Sequence, residues 1–376
     1  MKRAILFNFL FFLALSALGQ SYKVTGTVLD QNGESLPFAN VFFAETTYGT
    51  TTDNSGLFEL TVPKAGTYDL IVRFIGYKTY AAQLKLNEQR EVNLQIVLEE
   101  DAVNLGSVTV TDKKDDKWRY NLMEFRRVFL GTTLNAARCK ILNEQDIDFI
   151  DDTDSGTLEA FARGPIIIEN KALGYRIKYY LENFAINYKT GLAGYVGYTS
   201  FEELKGNKRQ DRRWGAARAK AYKGSITHFF SSLFENKLEQ EGFDVNLARD
   251  IEGIGRVFNP QQAILDTALI EGQTDLSRKL PFENYIYVTY KNEEESMEYK
   301  QSSPLQTSKH TSISRISKEG QLSWIAMLDG FDEIEFEDNG YIYNPVSFYS
   351  SGYWGYEKIA EMVPINYRPN NENEED

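Results

Sequence analysis

Two histidines, one cysteine and many carboxylates limit the chemistry open to this chain of 376 residues. A zinc peptidase site needs two histidines and a carboxylate around one ion. His228 and His310 are the only imidazoles, neither is followed by Glu at the spacing such a site uses, and HExxH is absent. His228 therefore reads as one member of a helix and His310 as a loop residue. A Walker A loop and a GxSxG elbow are absent as well. Gly253-Ile254-Gly255 lacks the third glycine and the preceding strand of a dinucleotide loop. Cys139 stands beside Ile141 and Leu142, which reads as a buried structural thiol and not a nucleophile. Asp151 to Gly156 places a glycine at the sixth position of an EF-hand loop, but Ala162 stands where the bidentate Glu belongs. Asp30 and Asp53 sit in turns, where such side chains bond their own backbone in preference to calcium. No catalytic residue, metal ligand or cofactor is expected. A carboxylate pair for glycoside hydrolysis would show only in geometry.

Two clusters remain. Lys205, Lys208, Arg209, Arg212, Arg213, Arg218, Lys220 and Lys223 share a stretch with a single acid, Asp211. From it Arg212, Arg213, Arg218, Lys220 and Lys223 are taken as a candidate anion or partner surface, suited to lipopolysaccharide phosphates, an acidic glycan or an acidic protein patch. The bland reading is a solvated helix face paired with the chain's own acids. Tyr341, Tyr343, Phe348, Tyr349, Tyr353, Trp354 and Tyr356 form an aromatic cluster that could stack on sugars, but core and strand packing is where such residues are normally spent.

The elements that must hold these residues follow from the wider pattern. The net charge is −13, from 41 basic and 54 acidic residues, and such a surface repels phosphate backbones, so nucleic acid is not an expected partner. Aromatics at 14% lean towards strands, and 42% hydrophobic content is ample for packed cores. Lys2 and Arg3, an apolar run from Ala4 to Leu15, and Ala17-Leu18-Gly19 read as a secretory signal covering residues 1–19, cleaved before Gln20. No later segment is apolar enough to span a bilayer as a helix. With one cysteine there is no intramolecular disulfide, so the cores alone hold an exported protein.

Behind the signal, residues 20–100 alternate with period two. Val24, Gly26 and Val28 share one face, and Asp30 to Gly33 offers a turn. Phe38 to Ala44 reads as the next strand, and Phe58, Leu60 and Val62, then Tyr68, Leu70, Val72 and Phe74, continue the alternation to Leu98. Short strands at this spacing read as a β-sandwich. Val24-Thr25-Gly26-Thr27-Val28, Leu36-Pro37, Ala39-Asn40-Val41, Gly49 to Asp53 with Gly56 and Phe58, and Ile75-Gly76-Tyr77 together resemble the carboxypeptidase regulatory-like domain. The resemblance covers about a fifth of the chain and is closest to the versions fronting TonB-dependent receptors and other exported proteins of Bacteroidetes-type envelopes. It implies a transthyretin-like sandwich and an envelope setting, and no active site.

A strand at Leu105 to Thr111 and a polar linker complete residues 101–117. The residues that follow are too few for a receptor barrel of about 22 strands at about ten residues each. Trp118, Leu122, Phe125 and Phe129 recur at helical spacing, with Asp115 or Asp116 as N-cap and Gly131 as stop. Ser225 can cap a second helix, expected over 225–240. Strands are expected at Ile166–Ile168, Tyr175–Leu181, Tyr285–Thr289 and Ile334–Phe336, so residues 118–369 read as α+β. Ile168-Glu169-Asn170, Leu173-Gly174-Tyr175 and Pro364-Ile365-Asn366-Tyr367 resemble segments of exported proteins carrying the same first module. The tail 370–376 is acidic and expected to be disordered. The whole reads as a non-enzymatic envelope binding or assembly protein, periplasmic or associated with the outer membrane. A glycan-directed hydrolase or a carbohydrate-binding protein is the alternative. N-terminal sequencing of the exported protein is expected to begin at or near Gln20; intact Met1 in an inner-membrane fraction would contradict it.

Overall fold

The computed structural model describes residues 21–87, 89–101, 115–251, 255–259, 263, 265–302 and 320–369. The signal, the expected strand at 105–111, His310, Ile254 and the acidic tail lie outside them. The chain divides into two compact units, Met1–Ala44 with Tyr48–Ser107, and Glu45–Thr47 with Val108–Asp376.

The first unit is a sandwich of seven described strands. They are β1 (Tyr22–Leu29), β2 (Asn40–Phe43), β3 (Gly49–Thr51), β4 (Leu57–Val62), β5 (Gly66–Arg73), β6 (Tyr80–Leu86) and β7 (Glu91–Val97). One sheet has the order β4-β1-β7, with β7 parallel to β1, and the other β3-β2-β5-β6. The alternation seen in the sequence is the burial pattern: Val24 and Val28 point inward on β1, Phe58, Leu60 and Val62 on β4. These side chains meet Val41, Phe43, Leu70 and Val72 of the facing sheet in one core. Gly26 is glycine because a Cβ there would overlap the Leu94 carbonyl and the Phe58 ring. The turn acids do what such residues usually do. Asp30 accepts from the amides of Asn32 and Glu34 at 2.9 and 2.8 Å, and Asp53 from those of Ser55 and Leu57. The backbone amide of Glu34 is the main cause holding the Asp30 carboxyl below its ordinary range.

The second unit opens with helix α1 (Asp116–Phe129). Asp115 caps it by accepting from the Trp118 amide, and Gly131 follows its end at φ 92°. The expected linker to residue 117 is therefore shorter, because Asp116 and Lys117 already lie in the first helical turn. Phe125 and Phe129 pack on a sheet ordered β8-β11-β12-β10-β9, with β13 on the other edge of β12. These strands are β8 (Cys139–Ile141), β9 (Ile147–Asp152), β10 (Thr157–Ala162), β11 (Ile166–Asn170), β12 (Tyr175–Asn187) and β13 (Leu192–Glu203). The Asp-rich run is the β9–β10 turn, where Asp152 accepts from the Asp154 and Ser155 amides. Cys139 is buried, and burial pushes its thiol up to about 12, so it is inert at neutral pH.

Two helices follow, α2 (Lys208–Tyr222) and α3 (Ile226–Phe234). The α3 helix is capped by Ser225 as expected but stops at Phe234, short of residue 240, because Asn236 turns left-handed at φ 56°. Its Phe229, Phe230 and Leu233 enter a second core, built with a sheet ordered β15-β14-β18-β19-β21 and a small sheet β16-β17-β20. Here β14 is Phe243–Ile251, β15 Gly255–Phe258, β16 Ile270–Glu271, β17 Ser277–Pro281, β18 Tyr285–Tyr290, β19 Gln321–Met327, β20 Glu333–Glu337 and β21 Phe348–Gly352. The overall class is α+β and strand-rich. Most of the aromatic cluster is spent on packing: Phe348 and Trp354 belong to this core, Tyr341 and Tyr353 are buried, and the Trp354 indole donates to the Gly224 carbonyl at 2.7 Å, whereas Tyr349 is exposed.

The turn from β11 to β12 explains the Asn170 and Gly174 segments. Asn170 is fully buried; its side chain accepts from the amides of Ala172 and Leu173 at 3.0 Å and donates to the Ala360 carbonyl at 2.9 Å. Gly174 sits at φ 72°, and a Cβ would overlap the Trp214 indole. Gly174→Ala is expected to cost roughly 2–5 kcal/mol, from left-handed strain and overpacking together. Denaturant unfolding of the two proteins measures it, and an unchanged midpoint would contradict the account.

Candidate anion-binding site

The basic stretch becomes helix α2. A capping box starts it: Asn207 accepts from the Arg209 and Gln210 amides, and the Gln210 side chain accepts from the Asn207 amide at 3.0 Å. Helical spacing then sorts the side chains. Trp214, Ala221 and Tyr222 are buried, while Lys208, Arg209, Arg212, Arg213 and Lys220 are exposed along the other side.

The five candidate residues do not form one surface. Arg218 must be removed from it. The Arg218 side chain is 11% exposed, its Nε donates to the Leu173 carbonyl at 2.7 Å and one Nη to the Gly174 carbonyl at 3.0 Å. It also pairs with Glu203 at 3.1 Å and lies 3.9 Å over the Tyr175 ring. Arg218 is thus a clamp on the β11–β12 turn, with its fork committed to carbonyls that an exposed arginine would leave to water. Lys220 is exposed but paired with Glu293 at 3.1 Å. Lys223 is half-buried at the C-cap of α2. Arg212 and Arg213 stay on the open face together with Lys208 and Arg209, and none of these four meets an acid among the described residues.

Two clefts flank the helix. The first, of about 690 Å³, receives Lys205 and Arg213 and is completed by Arg138, Lys171 and Arg176 from β8, β11, β12 and their turns. Trp214 and Leu204 give it an apolar part. The second, of about 1120 Å³, is lined by Lys220, Lys223, Arg368, Glu241, Glu293 and His228 among others. His228 is on helix α3 as expected. Its Nδ1 accepts from the Gly224 amide at 3.1 Å and its Nε2 faces Glu241 at 3.3 Å. Burial holds it below the usual histidine range, against the pull of Glu241. Both ring nitrogens are thus engaged within the fold, one by the Gly224 amide and one by Glu241.

Sequence reasoning missed one group of carboxyls. Glu357, Glu361 and Glu293 influence one another electrostatically. Burial, then the charges of Glu361 and Glu293, raise Glu357 well above its ordinary value of 4.5. Glu361 is also raised by burial, although Thr133 and Asn135 donate to it. Glu357 and Glu361 stand four apart, the one hint in the sequence; Glu293 comes from a distant loop. Among the described residues no group of three His, Cys, Asp or Glu is placed to hold a metal ion, and no helix is long and apolar enough to cross a membrane.

Residues 24–110 match the CarboxypepD_reg-like domain, so the first unit carries that module. A stretch of 99 residues is 34% identical to the TonB-dependent receptor SusC of Bacteroides thetaiotaomicron, covering 26% of this chain and 9% of the receptor. The chain thus spans about a tenth of that receptor's length. Among solved structures, 3-chlorocatechol 1,2-dioxygenase from Rhodococcus opacus 1CP has a TM-score of 0.19 at 12% identity, covering 22% of this chain and 61% of that one. A streptococcal ancillary pilin has a TM-score of 0.20 at 15% identity, covering 22% and 34%. Neither likeness carries an inference about this chain.

The raised carboxyl gives a pH signature with a definite sign. In the folded protein Glu357 holds its proton above 4.5, where the unfolded chain has released it. Its contribution is fully present below that value and is lost as pH rises through the raised one. Glu357→Gln is expected to match wild type in stability near pH 4 and to exceed it increasingly as pH rises. Unfolding midpoints across that range decide it; a constant difference would contradict the assignment.

Proposed function

We propose that this is a non-enzymatic cell-envelope binding or assembly protein, exported and placed in the periplasm or at the outer membrane. The CarboxypepD_reg-like sandwich serves as adaptor, and the α+β unit recognises an anionic envelope partner through helix α2. The domain match and the stretch shared with a TonB-dependent receptor support the envelope setting. One observation carries the binding role: Arg209, Arg212 and Arg213 stand exposed, without acid partners among the described residues, on a chain of net charge −13. Bare cations on an acidic protein attract anions locally while the remaining surface repels them, which orients the encounter. The anionic groups this favours are lipopolysaccharide phosphates or acidic glycan carboxylates.

A hydrolase is the second reading, and the raised Glu357 beside Glu361 favours it, since a carboxyl kept protonated is what a general acid requires. Of the three clustered acids only Glu293 lines either cleft, so the binding reading is preferred. The test reverses Arg212 and Arg213 to Glu and leaves Lys220 intact, because its loss would strand Glu293. Wild type is expected to be retained on immobilised lipopolysaccharide and released by salt, as exposed charges are screened beyond about 8–10 Å. The double variant is expected to lose retention at an unchanged melting temperature. Equal retention of both proteins would contradict the role given to α2.

A further inference from the structure

The 690 Å³ cleft beside α2 contains cations that the protein itself does not neutralise. Its three acids each have a cation close by. Glu169 is 3.2 Å from Lys171, Glu202 is 2.6 Å from Lys178, and Glu203 is 3.1 Å from Arg218. Arg176 lies between the first two but reaches each only at 4.0 Å. Its Nε is buried and has no hydrogen-bond partner, which is costly for a charged donor unless something accepts from it. Arg138 spends one Nη on the Lys171 carbonyl at 3.1 Å and meets no carboxylate among the described residues. Lys205 and Arg213 have no acid partner among the described residues either. Arg138, Lys205 and Arg213, without an acid partner among the described residues, therefore share this cleft with Arg176, which two carboxylates reach only loosely at 4.0 Å. Lys205 and Arg213 share the basic stretch, but Arg138 and Arg176 come from two other parts of the chain, so their meeting is a product of the fold and not of that run alone.

We infer that this cleft is a binding site for a phosphomonoester, held by Arg176 at its centre and by Arg138, Lys205 and Arg213 around it. Two features favour phosphate over a single carboxylate. Three cations without an acid partner among the described residues and a fourth held only at 4.0 Å favour a ligand carrying close to two negative charges, which a phosphomonoester does near neutral pH. Guanidinium groups also match phosphate oxygens in paired, directional hydrogen bonds. The cleft is much larger than one phosphate group, and Trp214 and Leu204 line part of it, which leaves room for the organic carrier. This rests on the proposed anion-binding role of the second unit and deepens it from an exposed stripe to a defined site. Arg209 and Arg212, which lie on the stripe and do not line the cleft, separate the two ideas.

The test is isothermal titration of the full chain with inorganic phosphate, with chloride and acetate at equal ionic strength as controls. Saturable binding of one phosphate is expected, weakened at least about tenfold by Arg176→Ala and by Lys205→Ala, in line with the loss of a charge-assisted hydrogen bond. Lys205 is exposed, so its variant keeps the test valid if Arg176→Ala unfolds. Arg209→Glu with Arg212→Glu is expected to leave phosphate binding within about twofold. No phosphate binding by wild type, or binding that both cleft variants leave unchanged, overturns the site. If lipopolysaccharide retention persists in that case, the surface role of α2 survives; if both are lost, the anion-binding reading falls with the cleft.

Discussion

The second unit depends on one tight turn, Asn170 to Gly174. Backbone pairing satisfies only part of its carbonyls, those of Asn170 and Gly174, which accept from the amides of Gly174 and Leu204 at 2.9 Å, because the chain reverses there between β11 and β12. Three side chains from elsewhere meet that need. Arg218 takes the carbonyls of Leu173 and Gly174, while Trp214 and Arg138 both donate to that of Lys171, at 3.2 and 3.1 Å. Asn170 closes the turn from inside and ties it to Ala360. A buried backbone oxygen without a partner costs of the order of 1–3 kcal/mol, so these bonds fix where α2 lies against the sheet. Once α2 is fixed, its buried and open sides are fixed with it.

That constraint divides the positive charge. On the inner side Arg218 is consumed by structure, while the exposed Lys220 and the half-buried Lys223 line the larger cleft with Glu241 and Glu293. On the outer side Arg209, Arg212 and Arg213 remain open, and Arg213 reaches the smaller cleft, where Arg176 meets Glu169 and Glu202 only at 4.0 Å. A run that looks uniform in sequence thus holds two kinds of cation, structural and available. Lysine could not replace Arg218, since only the guanidinium fork reaches two carbonyls and a carboxylate while lying flat on Tyr175.

Much of the architecture was legible because it rests on local periodicity. Alternating residues such as Val24, Val28, Phe58 and Leu60 set the first sandwich, and Asp115 and Ser225 mark the starts of α1 and α3 where a cap was expected. The end of α3 was not legible, because Asn236 gives no signal strong enough to announce its left-handed turn. The site was half legible. Composition singled out the stretch from Lys205 to Lys223, but nothing in it told Arg218 from Arg213; that difference comes from the partners at 173 and 174, which only the fold supplies. Arg138, Arg176 and Glu293 were invisible for the same reason, being distant in sequence from the groups they meet, and the spacing of Glu357 and Glu361 alone did not announce their burial.

The account turns on whether anions reach the second unit at α2 and nowhere else. Amide chemical-shift mapping of the full chain, titrated with a soluble phosphorylated saccharide at low salt, tests this residue by residue. The expected result is perturbation confined to the open side of α2 and the turn at 170–174, reversed by added salt. Shifts centred on the first unit or on the Glu357 region, or none at all, would contradict it.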